Sequence, residues 1–231
     1  MSPAAHQTPR PRQNQLLAAL SESDWERWQP HLESTELTLG QVLCQSGSEH
    51  HYAYFPTTAI VSLVCTTLDG ASTETTVVGN EGVVGISLFM GGNTTPSEAV
   101  VQSAGHAYRV RAQVVRNASD SPTPSLKILL RYALSMIAQV AQTAACNRFQ
   151  SIDQLYCRRL LMGLDRLPTD EMAMTQEGAA SLLGVRREGV TAAAHRLQSE
   201  GVIRYSRGQI AVLDRPRLEA RTCERVAFDT V

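Results

Sequence analysis

The sequence lacks the signals for export or membrane insertion. Residues 1–14 are rich in proline, glutamine and arginine and contain no apolar core of the kind that a signal peptide needs. No stretch of the chain is long and apolar enough to span a bilayer. The five cysteines are odd in number and form no closely spaced pair, which is typical of a reducing compartment. We therefore expect a cytoplasmic protein without membrane contact, in which residues 1–14 are a disordered tail.

Recognisable metal and catalytic motifs are missing as well. Soft ligands lie in the first half of the chain, at Cys44, Cys65, His50, His51 and His106. Together they could bind zinc or haem, but their spacings match no standard metal motif. Carboxylates lie there too, at Glu74, Glu81 and Glu98, without a nucleophile motif beside them. The sequence therefore predicts no metal, no cofactor and no enzyme, and an enzyme with a metal in its barrel stays open as an alternative.

Charge is balanced over the whole chain but not along it. The formal net charge is −1, with 43% hydrophobic and 19% charged residues, as in soluble globular proteins. Residues 1–120 hold six arginines against eleven acidic residues, whereas residues 121–231 hold fifteen basic residues against eleven acidic ones. The second half is thus the half in which contact with nucleic-acid phosphates is expected.

The pattern of residues 174–201 predicts two short helices around a glycine turn. Thr175 is a good N-cap for the first helix, and Gly184 can take the left-handed conformation that ends it. The second helix is predicted from about 186 to 200. Its inward face shows helical spacing, at Val190, Ala193, Ala194 and Leu197. This arrangement is a helix-turn-helix, which places its second helix in the major groove of DNA.

Polar residues on the outward side of this unit are the predicted DNA contacts. They are Thr175, Gln176, Arg186, Arg187, Glu188, Thr191, Arg204 and Arg207. Arginine can bond guanine bidentately, and glutamate can accept from the amino group of cytosine. Two β runs around Arg207-Gly208 predict a wing whose arginines contact phosphate. Gly189 disfavours the helix by about 1 kcal/mol relative to alanine, and we expect it to allow close approach of the backbone to DNA.

The preceding residues predict a β-rich sensor domain over 15–124. A helix is predicted over 15–33, and β runs follow at 36–43, 52–55, 59–66, 72–78, 98–103 and 106–110. Asp69-Gly70 is a strong hairpin signal. Many short strands at regular spacing favour a sandwich or jelly-roll barrel, which often encloses a small ligand.

Helical patterns join this barrel to the C-terminal domain, predicted over 148–231. After a break at 117–124, a long dimerisation helix is predicted over 125–147, because its apolar stripe is wide enough to contact both the barrel and a second copy. Burial of that helix within one subunit stays open. A further helix over 151–166 is predicted to end at Pro168. The fold class is thus α+β: a β jelly-roll barrel, a long helix and a C-terminal winged helix-turn-helix.

This order of elements resembles the Crp/Fnr family of bacterial transcription factors over about residues 15–220. The most specific similarities are residues 174–188 (MTQEGAASLLGVRRE), 54–56 (YFP) and 82–89 (GVVGISLF). Residues 147–148 with 157–161 resemble the hinge segment of one branch of the family. The resemblance implies a homodimer joined through its long helices, a near-palindromic double-stranded DNA site, and RNA polymerase as a further partner. It places the family's base-reading arginine and glutamate at Arg187 and Glu188. The family's second base-contacting arginine falls on Ala192, which predicts an altered or relaxed site.

The sensor departs from the same family. By the resemblance, cyclic-nucleotide-binding members use a glutamate for the ribose, and here that position falls at Gly85. Residues 91–97 offer no arginine for the phosphate, which needs a cation or a nest of amides when buried. Cyclic AMP binding in the family manner is therefore not expected. The iron–sulfur mode is not expected either, because no cysteine precedes Cys44.

An effector pocket is nevertheless predicted from alignment to the family's nucleotide cassette. Its predicted residues are Gly82, Gly85, Ser87, Ser97 and Glu98. The chain is thus interpreted as a DNA-binding regulator whose barrel sets the geometry of its DNA readers. A small-ligand-binding module whose winged helix contacts proteins rather than DNA is the alternative from another functional class.

Overall fold

The structure, a computed structural model, describes residues 9–119, 125–167 and 169–222 of the chain. The strands are β1 (Glu33–Leu37), β2 (Val42–Cys44), β3 (Tyr52–Pro56), β4 (Ile60–Thr66), β5 (Ser72–Val78), β6 (Glu98–Ser103), β7 (Gly105–Arg111), β8 (Glu171–Ala173), β9 (Ile203–Ser206) and β10 (Gln209–Val212). The helices are α1 (Gln15–Ala18), α2 (Glu22–Trp28), α3 (Ala112–Ser119), α4 (Leu126–Phe149), α5 (Ile152–Leu164), α6 (Gln176–Leu183), α7 (Arg187–Ser199) and α8 (Arg215–Glu219). Short 3-10 helices span Pro11–Gln13, Gln29–His31 and Ile86–Met90.

Two antiparallel sheets form the barrel. One has the strand order β1-β7-β3 and the other β2-β6-β4-β5. Their inward side chains form a shared apolar core, which includes Leu37, Val61, Val78, Val101 and Ala107. The β4–β5 hairpin turns through Gly70, whose φ is +86°, as the Asp-Gly pair predicts. The predicted barrel of short strands is confirmed.

The start of the described chain differs from both predictions made for it. Residues 15–33 form two short helices and the beginning of β1 rather than one helix, because Ser21 caps a new helix by accepting from the amide of Asp24. Residues 9–14 are not a tail. The Asn14 side chain caps α1 and donates to the carbonyls of Pro56 and Gly82 at 2.9 and 2.8 Å. Residues 1–8 lie outside the described residues.

Two connections of the barrel also differ from the sequence prediction. The run at 36–43 holds a turn at Gly40 (φ +79°), which separates β1 from β2. Residues 117–119 belong to α3, where the sequence predicted a break. Asn117 and Ser119 are short polar residues that are typical of loops, although packing of α3 on the barrel supports this helix. Residues 120–124 lie outside the described part of the chain.

Helix α4 is a 24-residue rod, about 36 Å long, with two unlike faces. One face packs on the barrel through Leu129, Tyr132 and Ala133. The other carries apolar residues spaced alternately by four and three, which is a coiled-coil heptad. They are Leu130, Leu134, Ile137, Ala141 and Ala144, here called the apolar stripe. All five are exposed, Leu134 by 66% and Ile137 by 62%.

Residues 152–222 form the reader domain, built from α5 to α8 and the sheet β8-β10-β9. A capping box begins α5, in which Ser151 and Gln154 exchange side chain-to-backbone hydrogen bonds. One core unites its helices and sheet, with Leu160, Val190 and Ile210 all buried. Strand β8 was missed because three residues carry no readable period. Pro168, predicted to end the preceding helix, lies outside the described residues.

The reader domain rests on the β4–β5 hairpin of the barrel. Val64 of β4 belongs to the reader's own core cluster. The hydroxyl oxygens of Ser72 and Ser181 lie 3.2 Å apart, which joins β5 to α6. Gly184 sits so close that a Cβ there would lie 3.2 Å from the carbonyl oxygen of Ser72. The turn of the helix-turn-helix is therefore in contact with the sensor.

Candidate nucleic-acid interface and barrel cavity

Helices α6 and α7 form the predicted helix-turn-helix, and its packing follows the sequence pattern. The Thr175 hydroxyl accepts from the amide of Gly178 at 3.0 Å and so caps α6. Gly184 ends that helix at φ +65°. The inward residues of α7 that the sequence named are all buried: Val190, Ala193, Ala194 and Leu197. The predicted bounds of α7, 186–200, differ from the observed helix by one residue at each end.

The outward face of α7 is open. Arg186, Arg187, Glu188 and Thr191 are all exposed, and the last three line one groove with Gln176, Ala192, His195 and Arg196. Among the residues that the structure describes, Arg187 has only a distant acidic partner, since its Nε lies 3.8 Å from Glu177 Oε2 and both side chains are more than 60% exposed. Such a surface pair contributes little stability, so the guanidinium is available to a ligand.

Part of this face is organised by contacts between its own side chains. The Thr191 hydroxyl donates to Gln176 Oε1 at 2.7 Å across the two helices. Arg196 pairs with Asp153 of α5, which leaves less of its charge for other partners. The groove is therefore a polar surface that is partly ordered by contacts between its own side chains and α5.

Gly189 has a different role from the one that the sequence suggested. It is half-buried, and a Cβ at this position would lie 2.7 Å from Cδ1 of Ile152. The missing side chain lets α7 approach α5 within the reader domain. The expectation that Gly189 serves close approach to DNA is thus replaced by a packing reason.

The wing is the β9–β10 hairpin with Arg207 and Gly208 at its tip. Both residues have positive φ, +50° and +77°, which is the conformation of a type I′ turn. Arg204 is exposed on β9, and its nearest acidic partner is Glu171 at 3.7 Å. Arg204 and Arg207 of the wing and Arg187 of the groove are therefore exposed cations without a close acidic partner among the described residues.

A cavity of about 320 Å³ lies between the barrel and α4. Apolar side chains dominate its wall, and they include Leu63, Val84, Ala99, Met136, Ile137 and Val140. Its polar lining consists of His50, Thr75, Thr76, Ser87, Thr95 and Ser97. Ile137 is a member of the apolar stripe, so one wall of the cavity lies at the exposed face of α4.

Three of the five predicted pocket residues line this cavity: Gly85, Ser87 and Ser97. Gly82 does not, because it packs so tightly on Tyr132 that a Cβ would lie 2.1 Å from the phenol oxygen. Glu98 does not either. It precedes the lining residue Ala99 on β6, and alternation along the strand turns successive side chains to opposite faces.

A buried ion pair joins the barrel to the reader domain. Arg159 Nε of α5 lies 2.9 Å from Glu74 Oε1 of β5, and the two side chains are 2% and 6% exposed. Ser62 donates a further hydrogen bond to Glu74. Burial lowers the pKa of Arg159, and the charge of Glu74 opposes this. A second pair, Arg166 Nε to Glu81 Oε1 at 2.7 Å, follows α5 and also contacts the barrel.

The other chemistry weighed from the sequence does not come together in the structure. Within residues 9–119, 125–167 and 169–222, no three His, Cys, Asp or Glu side chains converge as metal ligands. Glu74 and Glu81 are each paired with an arginine rather than with one another. In the same part of the chain, no helix combines the length and apolar character needed to cross a bilayer.

Family models match both halves of the chain. A cyclic nucleotide-binding domain matches residues 35–121, and a Crp-like helix-turn-helix domain matches residues 157–221. The chain belongs to the Crp/Fnr family of transcription regulators. Both domains of this Crp/Fnr protein are thus accounted for, one by the barrel and one by the reader domain.

Solved structures show the same fold along nearly the whole chain. A Crp/Fnr family regulator from Eubacterium rectale superposes with a TM-score of 0.72 at 17% identity, covering 91% of this chain and 98% of that one. FixK2 from Bradyrhizobium japonicum gives 0.72 at 16% identity, covering 84% and 99%. CLP from Xanthomonas campestris, a c-di-GMP responsive regulator, gives 0.65 at 15% identity, covering 83% and 99%. No curated relative matches the sequence.

Sequence reasoning missed several residues of this Crp/Fnr protein that the structure brings together. His50 lines the cavity and Arg159 pairs with Glu74. The sequence analysis named His50 only as a possible metal ligand and Arg159 only within the segment 157–161, and it assigned neither of these roles. Arg159 does leave a trace, since it is a charged residue that directly precedes the apolar run of residues 160–162 in α5. Ile137 and Val140 were included in the wide stripe of the long helix, but their place at the cavity depends on how that helix crosses the barrel.

Proposed function

We propose that this Crp/Fnr protein is a homodimeric, sequence-specific DNA-binding regulator whose barrel sets the geometry of two readers in response to a small effector. The observation that carries the proposal is the outward face of α7. Its leading residues Arg187 and Glu188 are exposed, while Val190 anchors the helix from beneath. An exposed Arg-Glu pair at the start of a recognition helix matches the edges of guanine and cytosine in the major groove.

Phosphate contacts are assigned to the periphery of that face. Thr175, Gln176, Arg186 and Thr191 border the groove, and Arg204 and Arg207 project from the wing. Side chains of these types bond phosphate oxygens and fix the register of the protein on the duplex. In this proposal Arg187 and Glu188 read the bases. The other residues of the face and the wing contact phosphate and position the protein on the duplex.

Dimerisation is assigned to the apolar stripe of α4. Leu130, Leu134 and Ile137 are large apolar residues, each about half exposed or more, at heptad spacing. A second copy related by two-fold symmetry would bury them and would place two readers side by side. A dimer of this kind reads a near-palindromic site whose half-sites lie one helical turn apart, about 34 Å.

The remaining partners follow from this role. A regulator bound beside a promoter would meet RNA polymerase, and we expect it to act in the cytoplasm without catalysing a reaction.

We also expect no cyclic AMP binding, because the cavity offers no arginine or lysine among the described residues.

Selection of bound duplexes from random DNA tests the proposal directly. The full chain should enrich near-palindromic sequences, and Arg187→Ala should relax the preference at one base pair per half-site by about 1–3 kcal/mol. Arg27→Ala is the matched control, since it removes the same charge from α2, far from the reader. Unchanged sequence preference in Arg187→Ala would remove the base-reading assignment.

The alternative of a ligand module whose winged helix contacts proteins predicts a different salt response. A DNA reader loses affinity steeply with rising salt because phosphate contacts release counterions. A selected duplex whose affinity is insensitive to salt, or failure of the selection to enrich any sequence, would favour that alternative.

A further inference from the structure

We propose that the barrel cavity binds an uncharged, mainly apolar small molecule that carries one hydrogen-bonding group, rather than a nucleotide. The inference rests on the proposed function only in treating this cavity as the effector site. Its volume of about 320 Å³ is at the lower end of the usual range for small-molecule sites. The charge of the wall and two polar atoms of its residues indicate this class of ligand.

The wall carries no ion that could neutralise an anionic ligand. Among the described residues, no Arg, Lys, Asp or Glu side chain lines the cavity, and His50 is its one titratable group. That side chain is 5% exposed, and burial lowers its pKa, which favours the neutral imidazole. An anionic phosphate or carboxylate would lose its hydration here without gaining a counter-charge.

Most polar groups of the wall are already satisfied by the chain itself. The Thr75 hydroxyl donates to the carbonyl of Leu63 at 3.0 Å, and Thr76 donates to the side chain of Gln139. The Ser97 hydroxyl lies 3.2 Å from the thiol of Cys65. The hydrogen-bonding capacity of these groups is therefore largely used within the chain and contributes little to the choice of ligand.

Two buried atoms of the wall stand apart from that pattern. Nε2 of His50 and Oγ of Ser87 are buried, and neither has a hydrogen-bond partner among the described residues. A buried polar atom without a partner costs free energy that a ligand hydroxyl, amide or amine could recover. Both side chains belong to residues that line the cavity, so they are the partners to which the one polar group of an otherwise apolar ligand would bind.

The cavity is also placed so that its contents affect the dimer contact. Ile137 and Val140 line it and are 62% and 40% exposed on α4. In the proposed dimer, a partner helix would cover these residues and complete the outer wall. A ligand that fills the cavity would press on the same side chains, which couples its binding to the helix that orients the readers.

Displacement of a neutral dye from the full-length protein tests this chemistry. 1-N-phenylnaphthylamine is uncharged and apolar with one N–H group, and its fluorescence rises in an apolar site. We expect one dye to bind per chain. We expect 1-octanol to displace it at a concentration at least tenfold below that of octanoate, and cyclic AMP to leave it bound. Displacement by octanoate or cyclic AMP as readily as by 1-octanol would overturn the inference, as would absence of dye binding.

Variants locate the bound dye. Ala99→Leu and Ala133→Leu fill the cavity from the sheet and from α4, so either one that folds should abolish dye binding. Leu39→Ser changes an exposed leucine of the barrel that lies outside both the cavity and the apolar stripe, and it should leave dye binding unchanged. The opposite pattern would place the dye on the surface and contradict the inference.

The hydrogen-bonding roles of His50 and Ser87 are tested separately from the proposed function. His50→Leu and Ser87→Ala should each weaken displacement by 1-octanol about fivefold if each atom makes a neutral hydrogen bond to it; no weakening in either variant would contradict their role. Binding of selected DNA is measured on the same preparations. Dye binding without DNA binding would refute the proposed function alone, and DNA binding without dye binding would refute this inference alone.

Discussion

Arg207 occupies the wing tip in a backbone conformation that arginine rarely adopts. Its φ of +50° belongs to the left-handed region, where glycine and asparagine are the usual residues. The side chain is exposed in the described chain and therefore does not compensate by packing. The strain is explained if the Arg207 side chain makes its contact only when a ligand such as DNA is bound.

We expect Arg207→Asn to preserve the wing while removing one phosphate contact per subunit. Asparagine tolerates this conformation, so stability should not fall. The slope of log affinity against log salt should shrink by about 0.9 per lost phosphate contact, or by about 2 per dimer. Titration of a selected duplex at several salt concentrations measures this, with Arg27→Ala as the control. An unchanged slope would show that the wing tip does not reach DNA.

Asp24 is a buried carboxylate that ties α2 to the start of α4. Burial alone would raise its pKa, but hydrogen bonds from Ser125 and Ser21 outweigh this, and its pKa lies below the ordinary value of 3.8. A lowered pKa in the folded state stabilises the protein at pH values above the unfolded-state value, and this contribution is lost as pH falls through the folded value.

Asp24→Asn should therefore remove part of the acid sensitivity of folding. At pH 7 the variant should have a lower free energy of unfolding, and the difference from the parent should shrink below about pH 4. Urea unfolding at a series of pH values checks this, with the exposed Glu22→Gln of the same helix as a control. A difference that stays constant with pH would mean that the lost stability comes from packing rather than charge.

At the scale of elements, the reader and the strands were predictable because their signals are local. The Thr175 cap, the Gly184 turn and the buried face of α7 follow from spacing alone, and the hairpin at Asp69-Gly70 follows from turn chemistry. For α7 the predicted bounds agree with the observed helix within one residue, and the inward face was named residue by residue.

Features that depend on contacts distant in sequence were not predictable. The cavity residue His50 and the pair of Glu74 with Arg159 depend on how sheets and helices meet, and no local pattern encodes this. Gly189 was assigned to DNA because its neighbour Ile152 lies in another helix. Asn14 looked like part of a polar tail because its buried carbonyl partners lie more than 40 residues away.

The apolar stripe of α4 gives a prediction at this scale. Leu134→Glu places a charge in the proposed coiled-coil seam, and the dimer should dissociate because the carboxylate would lose its hydration there. Sedimentation velocity measures the mass directly. Leu39→Glu is a matched control, because Leu39 is 63% exposed on the barrel, close to the 66% of Leu134. A dimer that survives Leu134→Glu but not Leu39→Glu would place the contact elsewhere.

Over the whole molecule, sensor and reader are joined by ion pairs as well as by apolar packing. Glu74 and Arg159 are both more than nine-tenths buried and connect β5 to α5. Removing one partner of such a pair leaves an uncompensated buried charge, which costs about 3–5 kcal/mol. Removing both charges costs much less, because no charge is then left without a partner.

A double-mutant cycle tests this junction. Glu74→Gln and Arg159→Met should each lower the free energy of unfolding by about 3–5 kcal/mol, and the double variant should lose less than the sum. Glu74→Gln keeps a partner for Ser62, so its cost reports mainly on the charge. Chemical denaturation of the full chain supplies the measurement, and strictly additive losses would show that the two side chains are not coupled.

Ile137 and Val140 belong at once to the cavity wall and to the face that a second subunit would cover. In a lone subunit the cavity would therefore lack part of its outer wall, and a bound molecule would dissociate more readily. The dose at which such a regulator responds would then fall as its own abundance rises, because association and occupancy reinforce each other. The number of copies in a cell would help to set the threshold of the sensor.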